Sequence, residues 1–161
     1  MRAAFYEKNG AARDVLQIGE MPTPTPGAGE VRVAVKASGV NPSDVKAREG
    51  RTRKITLPRI IPHSDGAGLI DAVGDGVDKA RIGERVWLWN AQWKRAFGTC
   101  AEFVTLPAAL AVPLPANASF EDGACLGVPA MTAYQAVASA ESWAGSTLLV
   151  TGGAGGVGHY V

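Results

Sequence analysis

The glycines between residues 153 and 158 have the spacing of a loop that binds the phosphates of a dinucleotide. Gly153, Gly155 and Gly158 form the pattern GxGxxG, and the apolar run 148–150 before them predicts a buried strand. In such a loop one glycine turns out of the strand, the next lets the backbone approach a pyrophosphate, and the last lets a new helix pack on the sheet. The candidate cofactor-binding residues of this loop are Gly153, Gly155, Gly156, Val157 and Gly158. A glycine-rich turn that ends a strand and binds nothing is the alternative.

The composition limits what kind of protein the rest of the chain can form. Of the 161 residues 47% are apolar and 19% charged, which permits a sizeable core and argues against disorder. The formal net charge is +1 with acids and bases interleaved, so no nucleic-acid footprint is visible. No run reaches the apolar length of a membrane helix. Cys100 and Cys125 are too few for a disulfide framework, which predicts a reducing, cytoplasmic setting.

Most of the chain reads as short strands separated by glycine and proline. The segment 31–37 alternates best, with Val31, Val33 and Val35 on one face and Arg32 and Lys36 on the other. Further strands are predicted at 3–6, 15–18, 69–73, 86–89, 100–106 and 111–114, and a short helix at 43–48. So many strands without a long helix between them indicate a partly closed β-barrel.

The character of the sequence changes at Ser119. Ser119 and Asp122 form a capping box, and the alanine-rich segment 120–139 has helical spacing interrupted by Gly127 and Pro129. We therefore predict an α+β chain of two parts. Residues 1–122 form the β-rich domain, and residues 123–161 form connecting helices followed by the first strand and glycine loop of a nucleotide-binding domain.

The order of five motifs resembles one family. The motifs are Gly39–Asp44 (GVNPSD), Pro62–Gly68 (PHSDGAG), Gly83–Val86 (GERV), Met131–Tyr134 (MTAY) and Gly155–Gly158 (GGVG). Together they resemble the zeta-crystallin-like quinone oxidoreductases of the medium-chain dehydrogenase/reductase superfamily. The resemblance implies a GroES-like catalytic domain, the start of a Rossmann domain, NADPH as cofactor, hydride transfer to a quinone or related enone, and a homodimeric full-length parent.

The same stretches differ from the zinc alcohol dehydrogenases of that superfamily. A catalytic zinc site needs three protein ligands from Cys, His or acidic residues. By resemblance, the three ligand positions hold Asn41 or its neighbour Pro42, then Ser64, then Val128, and His63 falls one place early. We therefore expect no metal site, and an enzyme that relies on orienting the nicotinamide against an electron-poor acceptor and excluding water.

The resemblance also assigns roles to individual side chains. Asn41 is expected to contact the nicotinamide ribose or the substrate carbonyl, and Thr132 the nicotinamide carboxamide. Lys46 stands where several members carry a tyrosine proposed as proton donor, which makes Asn41 and Lys46 the candidate catalytic residues. His63, Trp87 and Trp89 are candidates for the substrate pocket. The alternatives are an asparagine that satisfies loop backbone, a threonine bonded within its helix, a solvated lysine and tryptophans packed beneath a loop.

Two further readings of function stay open at this point. One is an enoyl or alkenal reductase of a neighbouring branch, and the other is a non-enzymatic, crystallin-like structural module. The sequence stops one turn after the glycine loop, so we expect a fragment that binds NADPH weakly and does not turn over alone. Without parallel partners, the strand at 148–150 is expected to be disordered, self-associated or docked elsewhere.

Overall fold

The structure, a computed structural model, describes residues 1–139 and 142–161. Within these residues the strands are β1 (Arg2–Phe5), β2 (Gln17–Glu20), β3 (Glu30–Gly39), β4 (Asp65–Val73), β5 (Arg85–Leu88), β6 (Phe103–Pro107) and β7 (Ala111–Pro113). The helices are α1 (Ala12–Val15), α2 (Pro42–Arg48), α3 (Phe120–Ala124) and α4 (Met131–Ala138), with a π-helical turn at Leu126–Ala130. Single 3-10 turns lie at Lys79–Arg81, Ala108–Leu110 and Gly158–Tyr160.

The larger sheet is antiparallel and curls into a partly closed barrel. Its strand order is β6-β3-β4-β5-β7, so β6 and β7 lie at opposite edges although only Ala108–Leu110 separates them along the chain. Five flat strands would place these edges about 19 Å apart, whereas three linking residues reach about 14 Å between flanking Cα atoms. The sheet must therefore bend until its edges approach, as predicted from the sequence. β1 and β2 form a separate antiparallel pair.

The barrel interior follows from alternation along the strands. Val31 and Val33 of β3 are 0% exposed, while Lys36 is exposed to solvent. Val86 and Leu88 of β5 repeat the pattern, with Trp87 between them on the other face. β3, β5 and β6 thus contribute alternate side chains to one core, which is the period-2 arrangement that the sequence predicts for β3.

Three strands begin two or more residues away from their predicted starts. Val15 belongs to α1, so the strand predicted at 15–18 begins at Gln17. β6 begins at Phe103, three residues after the predicted start at Cys100. β4 begins at Asp65, four residues before the predicted start at Leu69, because Asp65 to Ala67 pair with Ala37 to Gly39 at the end of β3.

The helical region after the barrel begins at the predicted cap. The Ser119 hydroxyl accepts from the Asp122 N–H at 3.0 Å, and an Asp122 carboxylate oxygen accepts from the Ser119 N–H at 2.9 Å. The predicted interruption at Gly127 and Pro129 is a π-helical turn between α3 and α4. Ala124 of α3 packs on Ala67 of the sheet. The predicted domain boundary after residue 122 lies inside α3, and the division into two domains stays a prediction.

The strand predicted at 148–150 is not formed. Leu148, Leu149 and Val150 are 47%, 86% and 36% exposed, and no strand of the described residues pairs with them. A strand of a parallel sheet is stable only between neighbouring strands and beneath helices, so the local pattern alone does not hold this segment extended. The chain near its end instead contacts the helical region, where the Tyr160 hydroxyl donates to the Cys125 carbonyl at 3.2 Å.

Candidate functional site

A cleft of about 660 Å³ lies between the end of β5 and the helical region. Its lining includes Trp89 and Asn90 after β5, Gly127 and Val128 of the π-helical turn, and Thr132, Gln135 and Ala136 of α4. We call it the Trp89 cleft. Its volume lies within the range typical of small-molecule sites, which are mostly apolar with a few oriented polar groups.

A buried carboxylate holds this cleft against the barrel. Asp65, the first residue of β4, is 1% exposed, and its Oδ2 atom accepts from the Asn41 Nδ2 and from the Val128 N–H, both at 2.7 Å. One oxygen atom therefore joins the cap of α2, the start of β4 and the π-helical turn. Asp65 was not among the site residues predicted from the sequence. The available signal was a lone acid between Ser64 and the small residues 66–68, at the start of a strand.

The surroundings of Asp65 raise the pKa of its carboxyl group above the ordinary value. Burial raises the pKa of this carboxyl, the hydrogen bonds from Val128 and Asn41 lower it, and the nearby charge of Asp44 raises it. Its second oxygen, Oδ1, has no hydrogen-bond partner among the described residues. A Cβ added at Gly127 would stand 2.1 Å from this oxygen, so only glycine fits above it.

Asn41 is a buried structural residue in this arrangement. It is 7% exposed, its side-chain nitrogen donates to Asp65, and its backbone N–H donates to Asp44 Oδ2 at 2.8 Å. Burial also raises the pKa of Asp44. Asn41 thus lies between two buried carboxyl groups and does not line the Trp89 cleft. Its contact with a ribose or a substrate carbonyl stays a prediction.

Thr132 lines the Trp89 cleft, and its hydroxyl oxygen is available there as a hydrogen-bond acceptor. Its hydroxyl donates to the Val128 carbonyl at 2.6 Å, one helical turn earlier. Because the proton is used inside the helix, the lone pairs of the hydroxyl are the part left for a ligand. Such a group suits a ligand that donates an N–H.

The two candidate tryptophans are placed apart. Trp89 lines the cleft, whereas Trp87 packs with Ala67 and Leu114 on the outer face of the barrel beneath α3. Both lie in the strand predicted at 86–89, but β5 ends at Leu88, before Trp89. The structure therefore brings Trp89, and not Trp87, to the Trp89 cleft.

His63 belongs to a hydrogen-bonded chain away from the cleft lining. Its Nδ1 is 2.9 Å from the Ser38 hydroxyl, which is 2.8 Å from the Thr99 hydroxyl, and Thr99 donates to the Asp65 carbonyl at 2.5 Å. Each hydroxyl has one proton, so all three contacts are satisfied only when Ser38 donates to Thr99 and His63 donates from Nδ1. Burial lowers the pKa of His63, which favours the neutral imidazole, and the contact with Ser38 then selects the tautomer that is protonated at Nδ1.

Lys46 lies in a second cleft, of about 550 Å³, which we call the Lys46 cleft. It is lined by Ser43, Lys46, Ala47, Thr52, Arg53 and Trp93. Lys46 is exposed, five residues after the buried Asn41. The two predicted catalytic residues are therefore not brought together by the structure.

The glycine loop stands apart from both clefts. Residues 153–157 are exposed, and none of residues 153–158 lines either cleft. The Gly155 N–H donates to the Gly152 carbonyl at 2.8 Å, and a 3-10 turn follows in place of the predicted α-helix. Its role in binding a dinucleotide stays a prediction.

Two features of residues 1–139 and 142–161 bear on metal binding and on membranes. No group of three or more His, Cys, Asp or Glu side chains is gathered there so as to hold a metal ion. No helix in this part of the chain has the length and apolar character needed to cross a membrane.

Comparison with known proteins gives consistent matches. The family model of the alcohol dehydrogenase GroES-like domain matches residues 27–116. The quinone oxidoreductase of Rattus norvegicus is 39% identical over 148 residues, which cover 90% of this chain and 44% of the relative. These matches confirm the predicted GroES-like fold class.

Solved structures match over nearly the whole chain. The quinone oxidoreductase from Coxiella burnetii has a TM-score of 0.89 at 30% identity, covering 99% of this chain and 51% of that one. A mycobacterial protein solved in complex with NADPH has a TM-score of 0.85 at 33% identity, covering 99% and 48%. The chain spans about half the length of the relatives it matches.

Proposed function

The chain belongs to the alcohol dehydrogenase GroES-like family, and we propose that it forms part of an NADPH-dependent reductase that transfers hydride to a quinone or a related enone. Named quinone oxidoreductases among its relatives support an oxidoreductase of this kind. The observation that carries the proposal is the Trp89 cleft, which combines the size of a small-molecule site with an indole ring and a helical hydroxyl.

The cleft residues fit a nicotinamide ring. Thr132 offers hydroxyl lone pairs, and a carboxamide NH₂ is the matching donor. The Trp89 indole presents an aromatic surface for a flat ring. A bound nicotinamide would supply the hydride chemistry itself. The chain's own contribution is to orient flat rings between Trp89 and α4 and to exclude water with Val128, Met131 and Ala136.

The proposed mechanism uses no metal. By the resemblance given above, the ligand positions of the zinc enzymes correspond to Asn41 or Pro42, Ser64 and Val128, and the Val128 side chain has no atom that could bind a metal. The Val128 N–H and the Asn41 amide are instead bound to Asp65. The hydrogen bonds to the Asp65 side chain thus fix the shape of the Trp89 cleft.

We also propose that the protein is cytoplasmic and that the full-length protein is a homodimer. Both cysteines are free, Cys100 half-buried and Cys125 exposed, which supports a reducing, cytoplasmic setting. A homodimer of the full-length protein is the expected assembly, and its mass in solution tests it.

A variant that fills the Trp89 cleft tests where the cofactor binds. We expect NADPH to raise the thermal midpoint of the chain, and Ala136→Trp to abolish that shift because the new indole occupies the cleft. Ala138→Trp is the matched control, since Ala138 lies on the same helix, is exposed and does not line the cleft. Equal shifts in both variants would place the cofactor elsewhere.

Activity is measured on the purified protein together with its intact mass. Oxidation of NADPH is followed with a benzoquinone and, in parallel, with an enone, which separates the quinone reductase from the enone reductase. If the sample weighs 16.7 kDa, we expect weak binding of NADPH and no turnover. Ordinary reductase rates from a sample of that mass would contradict this expectation, and absence of turnover from a full-length enzyme would contradict the proposed function.

A further inference from the structure

The Lys46 cleft has a different chemistry from the Trp89 cleft. Its charged lining residues are Lys46 and Arg53, and no acidic side chain lines it. Neighbouring arginines are paired, with Arg51 2.7 Å from Glu49 and Arg59 2.5 Å from Glu7. Among the described residues, Lys46 and Arg53 enter no ion pair. Two cations thus share one cavity without a protein carboxylate.

The uncharged lining adds hydrogen-bond donors and an aromatic surface. Ser43 and Thr52 contribute exposed hydroxyls. Trp93 is 62% exposed, unusually open for so large an apolar side chain, and the Lys94 ammonium lies 5.9 Å from its ring centroid. A flat ring can stack on this indole while an anionic substituent reaches the two cations.

We propose that the Lys46 cleft binds small planar anions, namely aromatic rings that carry a sulfonate, carboxylate or phosphate group. The inference goes beyond the proposed function, because it assigns a ligand class to a second cleft and requires neither NADPH nor reductase activity. Two cations supply the attraction, hydroxyls complete the hydrogen bonding of the anion, and Trp93 selects for a flat ring. The volume of about 550 Å³ admits a bicyclic aromatic ligand.

The test uses 1-naphthalenesulfonate, which cannot be reduced by hydride under assay conditions, and 1-naphthalenesulfonamide as its uncharged match. Binding to the chain is measured by NMR titration, which follows the indole N–H signal of Trp93, assigned by its loss in Trp93→Leu. We expect saturable movement of this signal with the sulfonate, weaker binding at higher salt, and much weaker binding of the sulfonamide.

Charge variants separate the cleft from the rest of the surface. Lys46→Gln and Arg53→Gln should each weaken sulfonate binding about ten-fold, because each removes a charge-assisted hydrogen bond. Lys79→Gln is the matched control, since Lys79 lies on the 3-10 turn before β5 and does not line the cleft. All three variants should keep the wild-type thermal midpoint.

Three results would overturn the proposal. They are equal affinity for sulfonate and sulfonamide, equal loss of affinity in Lys79→Gln, and a Trp93 signal that does not move while the sulfonate binds. None of them bears on the reductase, because no cofactor is present. Conversely, a chain without reductase activity that still binds the sulfonate at Lys46 and Trp93 would support this inference alone.

Discussion

The Trp89 cleft and the Lys46 cleft depend on the same short helix and are built in opposite ways. α2 is capped by Asn41, which is buried against Asp65 beneath the Trp89 cleft, and it exposes Lys46 five residues later. Five residues correspond to about 140° around a helix, so one helix contributes to a buried polar junction and to a solvated cationic surface. The Trp89 cleft is shaped by buried hydrogen bonds to Asp65. The Lys46 cleft is instead characterised by two exposed cations, Lys46 and Arg53, with no carboxylate in its lining.

Substitutions should therefore act differently at the two clefts. Changes at the Asn41–Asp65–Val128 junction should lower the free energy of unfolding and distort the Trp89 cleft. Changes at Lys46 or Arg53 should alter ligand binding and leave stability unchanged, because these side chains are exposed and unpaired in the part of the chain that the structure describes. The following predictions test this difference.

The largest effect is expected for Asp65→Ala. This change leaves the Asn41 amide and the Val128 N–H buried without an acceptor, and it should lower the free energy of unfolding by about 3 kcal/mol. Urea unfolding followed by circular dichroism measures it. Asp65→Asn is the control, because its carbonyl oxygen can occupy the Oδ2 position, and its loss should stay within about 1 kcal/mol. If Asp65→Ala unfolds at the same urea concentration as the wild type, the junction does not stabilise the fold, and the proposed difference between the two clefts is wrong.

A smaller loss is expected for Gly127→Ala. The added methyl would stand 2.1 Å from Asp65 Oδ1, so the π-helical turn must move, at a cost of about 1–3 kcal/mol. At Gly27 the nearest atom to a new Cβ is Glu30 Oε2 at 3.4 Å, which makes Gly27→Ala the control. In an Asp65→Ala background the Gly127→Ala loss should shrink, because the clashing oxygen is gone. If the stability losses of Gly127→Ala and Asp65→Ala simply add, the strain of the new methyl group does not come from Asp65.

The smallest effect concerns pH. Burial is the main cause that raises the pKa of Asp65, so the folded state holds this proton more tightly than the unfolded chain. Stability of the wild type relative to Asp65→Asn should therefore fall as pH rises from about 4, the unfolded value, and level off above the folded pKa.

Asp122 provides a comparison of opposite sign for the pH measurement. Hydrogen bonds with Ser119 lower the pKa of its carboxyl, so stability relative to Asp122→Asn should fall as pH decreases through the folded pKa. Urea midpoints between about pH 2 and 7 for the three proteins check both signs, because the Asp122 effect lies below the unfolded value of about 4 and the Asp65 effect above it. A wild type that gains stability over Asp65→Asn as pH rises would contradict the assignment for Asp65.

Local features of the fold were predictable because neighbouring residues decide them. The alternation of Val31 and Val33 predicted β3, and Ser119 with Asp122 predicted the cap of α3. The helix predicted at 43–48 is α2, which ends at Arg48, and Gly50 shortly after it has a φ of 76°, the left-handed conformation that glycine adopts readily. The partly closed barrel followed from the number of strands and the lack of long helices.

The composition of the site was less predictable. Trp87 and Trp89 look equivalent in sequence, yet β5 ends between them and only Trp89 reaches the cleft. Asp65 was not predicted as a site residue, because a single acidic residue before a strand matches no functional motif. Its importance depends on Asn41 and Val128, which are 24 and 63 residues away along the chain.

The sequence by itself therefore determined most of the barrel strands, the cap of α3 and the family motifs, because these depend on local periodicity, capping and turn chemistry. Only the tertiary structure decided which polar side chains are buried together, as in the Asn41–Asp65–Val128 junction, and which cations stay without a carboxylate, as in the Lys46 cleft. The physical reason is the same in each case: burial and pairing depend on partners that are distant in the chain and near only after folding.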